Sequence, residues 1–136
     1  MVDRQGIPLA VGLTAANVHD SVVFEPMLDQ VRPILRPRGR PRRRPHKLHA
    51  DKAYDHRRCR QACQRRHIRA RIARRGIESS ERLGRHRWVV ERTFAWLHQF
   101  RRLTIRYERR DDIHRAFLVL GAALICLQRL LDWWFC

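Results

Sequence analysis

The sequence predicts an α/β chain, and three observations carry that prediction. Short apolar runs bounded by turn residues alternate with segments whose apolar residues recur at helical spacing. Hydrophobic residues make up 44% of the chain, close to the globular norm, so a packed core is expected even with 32% charged residues. The length, 136 residues, suits one domain or part of one and is too short for a multidomain enzyme.

The elements follow in order. Residues 7–14 form an apolar run between Gly6 and the turn at Asn17, the pattern of a buried strand. Asp20 or Ser21 then caps a helix whose apolar face is Val22, Val23, Phe24, Met27, Leu28 and Val31. Residues 32–46 hold seven arginines, with prolines at 33, 37, 41 and 45. Proline at every fourth position excludes a helix or a central strand, so this stretch is expected as an exposed cationic loop.

Residues 48–53 read as a short strand containing Asp51, residues 54–67 as a helix, and residues 68–73 as a second, weaker strand. Residues 76–85 read as a loop. Residues 86–103 then read as one long helix with Val89, Thr93, Trp96, Phe100 and Leu103 on one face, widened by Val90, Phe94 and Leu97. A last helix covers 111–131, apolar through Phe117, Leu118, Leu120, Leu124, Ile125 and Leu127. It leaves an aromatic tail at 132–136 that is apolar for a terminus. There is no internal repeat.

Charge narrows the partners. Lys and Arg total 30 against 13 Asp and Glu, a net +17, and 28 of the 30 cations are Arg. That excess points to a polyanion, and the planar guanidinium fork suits phosphate, so nucleic acid is favoured over an acidic protein surface. Simple solubilising charge is the bland alternative. The longest uncharged run, 116–128, is shorter than the ~20 apolar residues that span a bilayer. The first residues lack a signal-peptide pattern, so no membrane partner and a reduced, cytoplasmic protein are expected.

The cysteines, at 59, 63, 126 and 136, lack paired disulfide spacing and are expected as free thiols. His56, Cys59, Cys63 and His67 align on one helix face. Tetrahedral zinc, however, needs ligands that converge from more than one direction, so these cysteines read as small, partly buried side chains.

Two carboxylates are candidates for chemistry. Asp51 sits where a strand ends, the place where open α/β sheets present ligands, although a turn-capping aspartate occupies the same position. Asp55 is the better cap for the following helix. Glu91 lies on a helical stripe with Arg87, Ala95, His98 and Arg102. It is either half of a surface pair with Arg87 or a metal-binding carboxylate whose cationic neighbours hold phosphates, and spacing leaves both open. The loop cations Arg42, Arg43 and Arg44 are equally a solvated linker or phosphate contacts.

Four blocks, in order, carry a resemblance: Asp3-Arg4-Gln5-Gly6-Ile7-Pro8-Leu9, Asn17-Val18-His19-Asp20, Ala50-Asp51-Lys52-Ala53-Tyr54-Asp55 and Trp88-Val89-Val90-Glu91-Arg92-Thr93-Phe94-Ala95-Trp96-Leu97. Over residues 3–131 the chain closely resembles the insertion-sequence-five (IS-five) family of bacterial DDE transposases. The resemblance implies a ribonuclease-H-like fold of the DDE transposase/integrase type. It also implies an active site of two Asp and one Glu holding two Mg²⁺ (or Mn²⁺) ions.

By that resemblance Asp51 is the second Asp and Glu91 the Glu. Arg87 and Glu91 match the family's Tyr-x2-Arg-x3-Glu-x6-Lys signature, with Gly84 in place of the Tyr and His98 in place of the Lys. Arg87, Arg92, His98 and Arg102 are implied to position DNA phosphates.

In relatives the first Asp lies on an opening strand upstream of the segment matching residues 3–14. Asp3 and Asp20 fall at a turn and at a helix start and do not replace it. Residues 1–131 are therefore expected to be the C-terminal part of the catalytic domain, a partial ribonuclease-H-like fold lacking its first strands. Some family members are made from two overlapping frames joined by ribosomal frameshifting, and this chain resembles such a second-frame product or a truncated copy.

Two carboxylates supply poor coordination for two Mg²⁺ ions, so little or no cleavage is expected of the chain alone. Bare strand edges would make it unstable or sticky. The implied partners are element ends and target DNA, the upstream portion, and further copies in a homo-oligomeric active complex, in the bacterial cytoplasm at the nucleoid. The rival expectation is a non-catalytic basic DNA-binding protein or transposition inhibitor, whose binding is salt-sensitive and indifferent to Asp51. An RNA-binding reading lacks the aromatic-on-strand signature such modules show.

Overall fold

The computed structural model describes the backbone of residues 1–35, 38–74, 76 and 80–134, with side chains throughout except at 80–87 and 133–134. The chain divides into two compact units: a central unit, Thr14–His86, and a terminal unit that joins Met1–Leu13 to Arg87–Cys136.

The central unit is built on two parallel strands, β1 (Lys47–Ala50) and β2 (Arg69–Ile72), in register from Lys47↔Arg69 to Ala50↔Ile72. Parallel strands require a crossover, and α2 (Arg57–Arg65) provides it, burying Cys59, Ala62 and Cys63. β2 falls within its expected span, and β1 begins one residue before its own. β1 stops at Ala50 because Asp51 turns the chain: its carboxylate accepts from Ala53 N at 2.9 Å and caps the 3₁₀ turn Lys52–Tyr54.

That turn takes residues 52–54 out of the expected strand and helix, so α2 begins only at Arg57. The helix ends two residues early for an equally local reason. His67 adopts φ 51°, and the Ile68 and His67 amides reach back to the Cys63 and Gln64 carbonyls at 2.8 and 2.9 Å. This is a left-handed helix stop that turns the chain directly into β2.

α1 (Phe24–Gln30) buries Phe24 and Leu28. It follows the 3₁₀ turn Asp20–Val22, which is capped by His19 rather than by Asp20 or Ser21: His19 Nδ1 accepts from Ser21 N at 3.2 Å. The ring nitrogen reaches the amide two residues on, whereas Asp20 already lies inside the first turn. Asp55 is likewise not the cap of α2. His56 holds that position, and Asp55 pairs with Arg60 at 2.6 Å. The arginine–proline stretch is a loop as expected, pinched once by an antiparallel bridge between Ile34 and Arg42 (2.9 and 2.8 Å), with Gly39 at φ 89°. Residues 36, 37, 75 and 77–79 lie outside the described residues.

In the terminal unit the expected strand at 7–14 does not form. Pro8 lacks an amide hydrogen, and Gly6 at φ 85° bends the chain back on itself. The Asp3 carboxylate accepts from the Gln5 and Ile7 amides, both at 2.8 Å, and Leu9 N donates to Met1 O at 2.9 Å. A single bridge, Val2 to Pro8, is all that remains of a ladder. An apolar run without a neighbouring strand satisfies its backbone locally, as a turn.

α3 (Ser80–His98) begins six residues earlier than expected, within the stretch read as a loop, and ends five residues sooner. Phe100 takes extended dihedrals (φ −85°, ψ 109°) and starts the short α4 (Arg101–Thr104). The Thr104 hydroxyl donates to the His98 carbonyl at 2.6 Å, occupying one acceptor that the broken helix exposes. Of the expected apolar face, Thr93 and Leu97 are buried, while Val90 and Phe94 face solvent.

α5 (Asp111–Trp134) extends the expected last helix by three residues and takes in part of the tail. It packs through Gly121, where an added Cβ would lie 2.9 Å from Leu103 Cδ1 and 3.4 Å from Phe100 Cδ2. By length and composition Asp111–Asp132 could cross a membrane, with a mean hydropathy of 1.5. The tail side chains at 133–136 lie outside the described residues.

Candidate functional site

The four sequence blocks meet in pairs. In the terminal unit, block 3–9 packs on block 88–97. Thr93, buried on α3, donates its hydroxyl to the Gly6 carbonyl at 2.6 Å, and a Cβ on Gly6 would lie 3.2 Å from the Val89 carbonyl. The close approach therefore requires glycine. This contact fixes the N-terminal turn against the α3 segment that carries Glu91, whose side chain is exposed.

In the central unit, the turn that begins at the end of block 17–20 meets the turn within block 50–55, and residues just beyond each block extend the contact. The His19 and His56 rings meet edge to face at 4.9 Å, and Phe24 packs on Tyr54 at 5.5 Å. Ser21, buried, takes a side-chain hydrogen bond from Arg58. Cys59 Sγ lies 3.8 Å from the Ser21 carbonyl. Burial pushes the Tyr54 phenol above its ordinary value, helped by the negative charges of Asp20 and Asp51. Two carboxylates from separate turns therefore act on one ring, and sequence reasoning missed that pairing.

The turn bearing Asp51 is clasped from behind. Arg60 bonds Asp55 through Nε and Nη2 at 3.1 and 2.6 Å and donates to the Ile72 carbonyl at 3.2 Å. One guanidinium thus ties α2, the loop after β1 and the end of β2. Asp51 itself is exposed at the carboxyl end of β1. It performs the turn-capping role and stands at the ligand-presenting edge at once.

The expected phosphate-binding cations behave unequally. Arg92 lies over the rings of Trp88 and Trp96, 4.2 and 5.9 Å from their centroids, and Arg129 covers Trp96 at 4.3 Å. Trp88, Arg92 and Trp96 are spaced by four, so helical periodicity could have found this ladder. Stacking uses the guanidinium face and leaves its edge donors for oxygen acceptors. His98 is exposed at the end of α3.

Arg102 is not on the Glu91 stripe, because α3 breaks before it. It donates to Glu108 at 2.9 Å and sits 5.6 Å from both Tyr107 and Phe117. The side chain of Arg87 lies outside the described residues. Arg42, Arg43 and Arg44, with Arg40 and Pro41, line an open concavity of about 860 Å³. Arg44 also donates to the Arg66 carbonyl at 3.0 Å, which anchors the loop to the end of α2.

Asp51 and Glu91 offer hard carboxylate oxygens, the donor chemistry that Mg²⁺ or Mn²⁺ takes, and one backbone hydrogen bond leaves Asp51 capacity to coordinate. Among the described residues no three His, Cys, Asp or Glu side chains gather as a metal site. Asp51 belongs to the central unit and Glu91 to the terminal unit. Cys59 and Cys63 are buried as free thiols, and burial raises both above the ordinary thiol value. They are core side chains, more fully buried than the partly buried positions the sequence reading expected.

Known proteins give the arrangement a family. A Burkholderia cepacia protein named "Putative transposase for insertion sequence element IS402" is 52% identical over 130 residues, covering 96% of this chain. The chain spans 62% of that relative's length. No solved structure matches it. The sequence profile of the Transposase DDE domain matches residues 1–127, a stretch that holds all four blocks together with Asp51 and Glu91, and the chain therefore belongs to the DDE transposase domain family.

Proposed function

We propose that this chain is the C-terminal part of a DDE transposase of the IS-five type, with a partial ribonuclease-H-like fold. Its complete form cuts a DNA strand at the element end and joins the 3′-hydroxyl to target DNA. The observation that carries this reading is the placement of Asp51. It is exposed at the carboxyl end of a parallel strand, braced by the Arg60 clasp, in a chain of net charge +17.

In the complete enzyme Asp51 and Glu91 hold Mg²⁺ or Mn²⁺ together with a first Asp from the upstream portion. The bound ions supply Lewis-acid stabilisation of the attacking and leaving oxygens of the phosphodiester. What this chain's own residues do is positional. The capped turn fixes the Asp51 carboxylate, and the Gly6–Thr93 contact fixes the α3 segment under Glu91. Arg92 presents its edge donors to phosphate from between two indoles, and Arg42, Arg43 and Arg44 offer a cationic concavity to the backbone.

Arg87, His98 and Arg102 complete the expected contacts, with Arg102 shared with Glu108. The working assembly contains DNA, the upstream portion and further copies, in the bacterial cytoplasm at the nucleoid. The chain by itself binds DNA without cutting it.

A second reading, a non-catalytic DNA-binding protein that occupies element ends, is favoured by the arginine concavity, which needs neither carboxylate. One experiment separates the two. The chain is joined to its upstream portion and assayed for cleavage of end DNA, with Asp51→Asn and Glu91→Gln variants. Loss of cleavage by at least a hundredfold with unchanged DNA affinity supports the transposase reading; equal cleavage by the variants refutes the site assignment.

A further inference from the structure

We propose that the outward face of α5 is a self-association surface on which a second copy of this chain lays its own α5. The helix has two apolar faces. Gly121, Ala122 and Ile125 are buried inward, with Leu97, Phe100 and Leu103 against Gly121. On the other face Ile113, Phe117, Leu120, Leu124, Leu127 and Leu131 recur at alternating steps of four and three. Five of these six are 42–54% exposed. The same spacing marks the seam of paired helices, whereas a surface helix of a lone domain carries polar residues there.

Size and shape fit a partner helix. The five exposed residues of the seam present on the order of 500 Å² of apolar side chain, and two copies would cover about 1,000 Å², the size at which a specific interface begins. Ala116 and Ala123 flank the seam and let a second backbone approach closely. Asp112, Ile113, Ala116, Phe117 and Leu120 line a concavity of about 310 Å³, a hole for a side chain of the opposing helix.

Charge selects the occupant. Residues 116–128 carry none, and Arg129, just beyond, is turned to the Trp96 ring. DNA finds no cation on this face, and a charged protein partner would bury its charge without a counterpart. An identical seam buries no charge along 116–128, Asp112 at its rim keeps its own exposed partner Arg110 at 2.6 Å, and an isologous pair is self-complementary by construction. This inference does not rest on the strand-transfer reading.

The sign of the salt effect follows. Two chains of +17 repel, and salt screens that repulsion while leaving apolar burial intact, so self-association strengthens as salt rises. Binding to DNA phosphate weakens over the same range.

The test is sedimentation velocity of the intact chain across the micromolar range at low and high salt. The expected result is a monomer–dimer equilibrium that tightens with salt. Leu120→Glu and Leu124→Glu should each weaken it at least tenfold with unchanged far-UV circular dichroism, while Val22→Glu, an exposed position in the central unit, leaves it intact. Should the glutamates unfold the chain, Leu127→Gln carries the test and must weaken the dimer severalfold.

A monomer at every concentration and salt overturns the proposal, as does a dimer indifferent to the seam substitutions. Two other occupants would also overturn it. One is phosphatidylcholine vesicles that take up the monomer through this face. The other is capture, by a chain that stays monomeric, of the part of the Burkholderia relative outside the matched stretch.

Discussion

The two units carry one each of the carboxylates proposed for catalysis, Asp51 and Glu91, but are held together by different forces. The central unit is stitched by arginines. Arg66 bonds Asp29 through Nε and Nη2 and Glu25 through Nη1, Arg65 adds a second bond to Glu25, and Arg60 clasps Asp55. Its buried apolar side chains, Ala62, Cys59 and Cys63 on α2 with Phe24, Leu28, Ile68, Ile72 and Ala73, outnumber those described in the terminal unit, Ala10, Leu97, Ala122 and Ile125. The terminal unit's ion pairs, Arg102–Glu108, Arg110–Asp112 and Arg129–Asp132, join near neighbours in sequence, and its distant parts are held by helix packing at Gly121 and by one buried hydroxyl bond from Thr93. The difference teaches that a large positive charge is not all interface, because part of the arginine complement is the mortar of the central unit.

Three measurements would break or sharpen that comparison. The largest effect is expected where the terminal unit depends on single atoms. Gly6→Ala forces a Cβ against the Val89 carbonyl at φ 85° and should cost about 2 kcal/mol. Thr93→Val leaves the Gly6 carbonyl without its donor and should cost about 1–3 kcal/mol. Both are read from chemical denaturation, with hydrogen exchange showing the loss at residues 3–10. Wild-type stability in either variant would mean that the N-terminal turn is not held by this contact.

A smaller effect is expected in the central unit. Arg60→Met removes a half-exposed clasp and should cost about 1 kcal/mol, since solvent screens the pair. Its distinctive mark is salt: high NaCl should lower amide protection around β1 and α2 more than around α3 and α5. Equal losses in both units would erase the contrast drawn above.

The smallest effect is on pH dependence. Burial of the Glu108 carboxylate works to raise its pKa, but its hydrogen bonds and the Arg102 guanidinium prevail and hold it below the usual carboxylate range. A depressed pKa stabilises the fold fully above the unfolded value and is lost as pH falls through the folded value. Acid should therefore loosen the α4–α5 connection below about pH 4, and Glu108→Gln should flatten that part of the profile. The readout is thermal unfolding of both proteins across the acid range.

Sequence alone located β1, β2 and the start of α5 closely, because alternation and helical periodicity survive wherever an element has a partner to pack on. It failed at 7–14, where an apolar run with Gly6 and Pro8 has no neighbouring strand and folds as a turn instead. It also missed the break before Phe100, since that residue continues the apolar stripe in pattern while its backbone leaves the helix. Asp51 was legible as a strand-end aspartate because position alone marks it. The Asp20 charge on the same tyrosine was not, because it depends on two turns meeting across thirty residues of chain. The Trp88, Arg92 and Trp96 ladder is readable from spacing, although the periodicity by itself places only Trp96 on the apolar face and leaves Trp88 unassigned.

The arginine pairs of the central unit have one more consequence, for counting. When a protein binds DNA, each cation that neutralises a phosphate expels condensed counterions, and the salt dependence of affinity reports how many did so. Arg66, already neutralised by Asp29 and Glu25, has little charge left to contribute to that exchange. The slope should therefore fall well short of 28 arginines, and the shortfall would measure how much of the chain's positive charge is spent on holding its own fold.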